Sequence, residues 1–160
     1  MTRCSSVHQN SILVYNTSET IRTTVTKTIS AVDDWINEVE QSFARQLENG
    51  NLIVGLDIEW SRLHEISTTT PNAKEVAVLQ LCLAHQCLIF QFFGFFDDNT
   101  RTKNNKRSKN SKKFQRADIP ESLAKFLNDE RIIFVGCGID QDVRKLMADH
   151  RLAVARSEDL

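Results

Sequence analysis

The sequence predicts an α/β fold, a mixed sheet flanked by helices, on three observations. Leu52, Ile53, Val54, Leu56 and Ile58 form an almost unbroken apolar run, which reads as a strand buried on both faces. Just before it, Val32, Trp35, Ile36, Val39, Phe43 and Leu47 recur at three- and four-residue spacing, the stripe of an amphipathic helix. Further on, residues 131–135 read as a short buried strand, and Gly136-Cys137-Gly138 lets the backbone turn tightly into a helix over 139–150.

Each element follows from local chemistry. Residues 7–15 and 20–27 are rich in Val, Ile and Thr and flank the polar Asn16-Thr17-Ser18-Glu19, so residues 1–28 are expected to hold an N-terminal hairpin. Ser30 can cap the first helix, with Asp33 and Asp34 in its first turn at the positive end of the dipole, and Asn49-Gly50 stops it. The strand over 51–60 follows directly. Residues 61–73, with Pro71 and Asn72, read as a loop. Residues 76–83 and 87–92 are a hairpin pair about a turn at His85-Gln86. Residues 97–118 read as a basic, disordered insertion, because TRTKNNKRSKNSKK is low in complexity and without apolar residues. Order returns at Ile119-Pro120, where Pro starts a helix carrying Leu123, Phe126 and Leu127. The final RLAVARSEDL holds too little to complete another strand and helix, so the domain, 1–160, is expected to be incomplete at its C-terminus.

Composition narrows the classes. With 160 residues, 41% hydrophobic and 26% charged, the chain suits one soluble domain with a real core. Its longest apolar runs, such as LIVGL and QFFGFF, fall well short of the roughly 18 residues a membrane span needs, so no membrane partner is expected. MTRCSSVHQNS has no apolar segment behind Arg3 and is no secretory signal, which points to nucleus and/or cytoplasm. Cys4, Cys82, Cys87 and Cys137 lack paired spacing and read there as free thiols. Charge is uneven: residues 101–116 hold eight Lys or Arg and no acid, against an acidic remainder.

Chemistry is concentrated in a few carboxylates. Asp57 and Glu59 lie two apart on a strand and so converge on one face at its C-terminal end. Such a pair must be exposed, protonated, paired with a base or neutralised by a metal. Asp142, in the first turn of the last helix, is by itself a commonplace partner of the helix dipole. His85 between Cys82 and Cys87 has metal-ligand residue types, but a hairpin puts them on different faces, so turn and core roles fit better. His64 reads as a solvated loop histidine, and Phe90, Phe92, Phe93, Phe95 and Phe96 as core rather than a base-stacking platform. Lys106, Arg107, Lys109, Lys112 and Lys113 are candidates for binding the nucleic-acid backbone, or for an import signal, against a plain solvated insertion.

GLDIEW on a strand, EVAVLQLCLAHQCLIFQ as the next hairpin, IPESLAKFLND as a helix and FVGCGIDQDVRKL as strand, glycine turn and helix occur in that order. Together they resemble the Werner-syndrome-type 3′-5′ exonuclease domain, in its small stand-alone plant form, within the DEDD, DnaQ-like group of ribonuclease H-like nucleases. The resemblance implies a ribonuclease H-like fold and a metal-dependent 3′-5′ exonuclease. It places Asp57 and Glu59 as catalytic metal ligands. The acid after the glycine turn falls on Asp142 rather than Asp140, by its spacing to Lys145 and Leu146. The family's third motif, a Tyr or His four residues before an Asp, is not supplied after Asp142: His150 is followed by Val154, and Asp159 is preceded by Ala155.

The implied cofactors are two Mg²⁺ or Mn²⁺ ions, since oxygen ligands suit hard cations. Two ions about 4 Å apart activate water and neutralise the transition state of phosphodiester hydrolysis. The implied partners are DNA or RNA 3′ ends, with a homo-oligomer or related exonuclease subunits as further partners. The missing motif sets a second expectation beside the enzyme: an inactive paralogue that binds nucleic acid or joins related subunits.

Overall fold

A computed structural model of the chain describes residues 8–13, 20–62, 74–97 and 112–160. Along it run β1 (His8–Leu13), β2 (Thr20–Thr26), α1 (Ile29–Ser42), α2 (Ala44–Glu48), β3 (Leu52–Arg62), β4 (Lys74–Leu83) and β5 (Gln86–Gln91). They are followed by β6 (Phe93–Asp97), β7 (Lys112–Arg116), α3 (Glu121–Leu127), β8 (Ile132–Gly136), α4 (Ile139–His150) and β9 (Ser157–Asp159). Among the described residues seven strands form one mixed sheet in the order β1-β2-β5-β4-β3-β8-β9, while β6 and β7 pair apart from it.

β3 is the hinge of the topology, antiparallel to β4 and parallel to β8. Its even-numbered residues Leu52, Val54, Leu56 and Ile58 are buried and share one core with α1 and α3. Trp35 of α1 meets Phe126 of α3 edge to face at 5.9 Å between ring centroids, and Phe126 meets Phe134 of β8 at 6.0 Å. Aromatic rings of this size favour such edge contacts and carry much of the apolar area. α4 packs beside β3 and β4 and adds Ile139 and Leu146 to the core.

Several sequence expectations are corrected. β3 is not buried on both faces: Ile53 is 57% exposed, and Asp57 and Glu59 are exposed too, so the strand alternates as a half-covered sheet does. The first helix starts at Ile29 behind Thr28, which leaves Asp33 and Asp34 outside its first turn. It also breaks at Phe43 (φ −119°, ψ 27°) before α2, a backbone change that a continuous apolar stripe does not reveal. The β4–β5 turn lies at Ala84-His85, with Ala84 at φ 49°. That register sets Cys82 directly opposite Cys87, Cα atoms 4.2 Å apart, and the two are joined as a disulfide rather than left as thiols. Cys137 is a free, exposed thiol.

The basic insertion is narrower than expected, because Lys112–Arg116 is a strand antiparallel to Phe93–Asp97; residues 98–111 lie outside the described set. The final residues also contribute a strand, since Ser157–Asp159 adds in parallel to β8. His64 lies outside the described residues. Phe90, Phe92 and Phe93 are buried in the core. Among the described residues, no helix is long and apolar enough to cross a membrane.

Candidate active site

The site forms where β3 runs out beside the start of α4. Asp57 and Glu59 share a face of β3, opposite Gln80 and Val78 of β4. Just past them the ladder slips between Glu59 and Trp60, so that Ala77 is the extra residue of a bulge on β4. From the other element comes Asp142, in the first turn of α4 and only 7% exposed. Burial pushes its carboxyl above the ordinary carboxylate range, and the negative charges of Asp57 and then Glu59 push it further the same way. The charges of two acids on β3 therefore reach Asp142 on α4, whereas Asp140 is exposed.

Two glycines make this approach possible. A side chain at Gly136 would begin 2.4 Å from the carbonyl oxygen of Leu56, so only glycine lets β8 lie against β3 one residue before Asp57. Gly138 stands at φ 70°, a left-handed conformation that glycine adopts without strain, and there the chain enters α4.

The acids have a bracing partner on β4 that the residue pattern does not reveal. Gln80 Nε2 donates to Asp57 Oδ2 at 2.8 Å, orienting that carboxylate. At the far end of α4, His150 Nε2–H donates to the Val76 carbonyl at 2.8 Å, and Asp149 Oδ2 accepts from the Val76 N–H at 2.9 Å. Both backbone groups beside the bulge thus find partners on α4. His150 also stacks on Phe92 at 3.7 Å, and its Nδ1 accepts from Arg116 Nη1 at 3.0 Å. Arg116 pairs in turn with Glu75. The only signal for Gln80 in the sequence is a polar residue within the apolar run EVAVLQLCL, and its meaning depends on the strand register.

The donor set, three carboxylates, suits a hard divalent cation in kind, and such a cation would relieve the negative charge that Asp57 and Glu59 bring to bear on Asp142. Among the described residues, however, no three His, Cys, Asp or Glu side chains converge closely enough to hold one ion. Of the basic candidates, Lys112 and Lys113 fall in β7 opposite Asp97 and Phe96, while Lys106, Arg107 and Lys109 lie outside the described residues.

The mixed sheet with its flanking helices matches the ribonuclease H-like fold of the EXD2 exonuclease domain. A 3′-5′ exonuclease from Arabidopsis thaliana is 30% identical over 114 residues, which are 71% of this chain and 31% of that protein. The EXD2 exonuclease domain superposes with a TM-score of 0.54 at 20% identity, over 86% of this chain and 56% of that one. The same domain soaked in Mn and GMP gives a TM-score of 0.53 at 19% identity, over 86% and 55%. No family model matches the chain. The chain thus spans under a third of the plant exonuclease and little more than half of the EXD2 domain.

Proposed function

We propose that the chain is a Werner-like 3′-5′ exonuclease of the small plant type, hydrolysing phosphodiester bonds at DNA or RNA 3′ ends with Mg²⁺ or Mn²⁺. The observation that carries this reading is the placement of Asp57 and Glu59 on one face of β3 beside the first turn of α4, which bears Asp142, in a chain 30% identical over 114 residues to a plant 3′-5′ exonuclease. Asp57, Glu59 and Asp142 would hold the metal ions, two in number by the family resemblance. When bound, divalent cations supply water activation and neutralise charge on the reacting phosphate.

The chain's own part is positional. Asp57 and Glu59 are exposed, so the face they share is open to a nucleic-acid end. Gln80 holds the Asp57 carboxylate in one orientation. Asp142 is largely buried at the first turn of α4. Lys106, Arg107, Lys109, Lys112 and Lys113 would add non-specific, salt-sensitive affinity for the phosphate backbone.

One observation favours a second reading. Since no three ligating side chains converge among the described residues, an inactive paralogue that binds nucleic acid or related subunits uses the same face without cutting. A time course with 5′-labelled single strand and recessed duplex in Mg²⁺ or Mn²⁺ separates the two. The enzyme shortens substrate from the 3′ end, and Asp57→Ala lowers the rate at least about a hundredfold, the upper end of the loss usual for outer-shell partners. Salt-sensitive binding by folded protein that leaves every substrate intact would establish the second reading and overturn the first.

A further inference from the structure

The first turn of α4 has no cap of its own. Gly138, at the N-cap position, carries no side chain, and the leading amides of a helix have no acceptor within it. Here two of them are satisfied from twenty residues further along the chain. Asp159 Oδ1 accepts from the Gly138 N–H at 2.6 Å and lies 3.4 Å from the Ile139 nitrogen, which also donates to it.

Asp159 is itself held in place. It ends β9, its register partner on β8 is Gly136, and the Leu160 N–H donates to the Gly136 carbonyl at 3.0 Å. Gly136 is the residue that lies against the Leu56 carbonyl, one position before Asp57. A continuous chain of contacts therefore runs from β3 through Gly136 and β9 to the start of α4. At that start the Gln141 N–H donates to the Gly138 carbonyl at 2.9 Å, and Asp142 follows.

From this geometry we infer that Asp159 is a positioning residue for the carboxylate cluster: it anchors the first turn of α4 so that Asp142 stays facing Asp57 and Glu59. The inference rests on the metal-binding reading of those three acids. A cap with a purely structural role loosens the first turn when it is removed and leaves cation affinity unchanged, whereas a positioning role is felt in cation affinity as well. An Asn at 159 keeps an oxygen that can accept both amides, and an Ala does not.

The test uses the full chain, with Asp159→Ala and Asp159→Asn beside it. Hydrogen exchange is read at Gly138, Ile139 and Gln141 and along the rest of α4, and Mn²⁺ affinity from the free-ion signal in electron paramagnetic resonance. The expected result is faster exchange confined to the first turn in Asp159→Ala, with Mn²⁺ affinity reduced about tenfold or more, in the range of outer-shell losses. Asp159→Asn should stay within about threefold of the parent, as expected where a neutral cap replaces a charged one. Unchanged Mn²⁺ affinity in Asp159→Ala overturns the inference, as does faster exchange spread evenly over α4. A parent chain that binds no Mn²⁺ refutes the metal reading and the inference with it, an outcome distinct from a parent that binds Mn²⁺ and an Asp159→Ala variant that binds it equally well.

Discussion

At the scale of single residues, the backbone contact at Gly136 governs the site as firmly as the acids do. Adding one methyl there sets a carbon 2.4 Å from the Leu56 carbonyl oxygen, a backbone atom that cannot swing aside as a side-chain tip could. Gly136→Ala should therefore cost about 2–3 kcal/mol, in the upper part of the range for overpacking, and a lowered urea midpoint at unchanged slope would register it. Because the displaced atom belongs to the residue before Asp57, cation affinity should fall as well. The carboxylate pair was legible in the sequence, since alternation along a strand is enough to set Asp57 and Glu59 on one face. Gln80 and the cysteines were not, because each depends on register. With the turn one residue later, Cys82 would face Ile89; only the turn at Ala84-His85 sets it against Cys87.

At the scale of the element, α4 shows why a helix can be read from periodicity while its seating cannot. Ile139, Asp142, Leu146 and His150 form its buried stripe, and two of the four are titratable. His150 is 8% exposed and accepts at Nδ1 from a guanidinium, so it is held neutral; burial lowers its pKa below the usual 6.5, Arg116 lowers it further, and the Val76 carbonyl, Glu75 and Asp149 pull the other way. The unfolded chain takes up a proton near pH 6.5 that the folded chain resists, so stability present above that pH is lost as pH falls below it. The loss should reach at most about 1.4 kcal/mol per pH unit, measured by urea unfolding from pH 7.5 down to 5.5. His150→Leu should flatten that dependence relative to the parent. At pH 7.5 it should cost about 1–3 kcal/mol, because the Val76 carbonyl and Arg116 lose their partner. None of this network was visible beforehand, since it joins residues 34 to 74 positions apart.

At the scale of the whole molecule, local pattern predicted the strands but not their neighbours. The hairpin of β4 and β5 follows from a short turn, yet nothing in residues 20–27 announces that β2 would pair in parallel with β5 or that β3 would lie between β4 and β8. Those non-local pairings bring the core into one cluster, to which both helical faces and the central strands contribute. Two tryptophans sample its interior and the exposed end of β3. Trp35 is 3% exposed among the helices, and Trp60 is 44% exposed at the site end of β3. If one cluster sustains the fold, Trp60→Phe, reporting Trp35, and Trp35→Phe, reporting Trp60, should each give a fluorescence transition in urea that coincides with its own far-ultraviolet circular dichroism. The slope should be about 1–3 kcal/mol/M. A Trp60 signal lost before the secondary structure would instead mean that the end of β3 bearing Glu59 opens below the global transition, as sub-global units do. The carboxylates would then be held by a weaker part of the sheet, and cation binding should move the Trp60 transition toward the global one, because a ligand bound only to the closed form stabilises it by mass action.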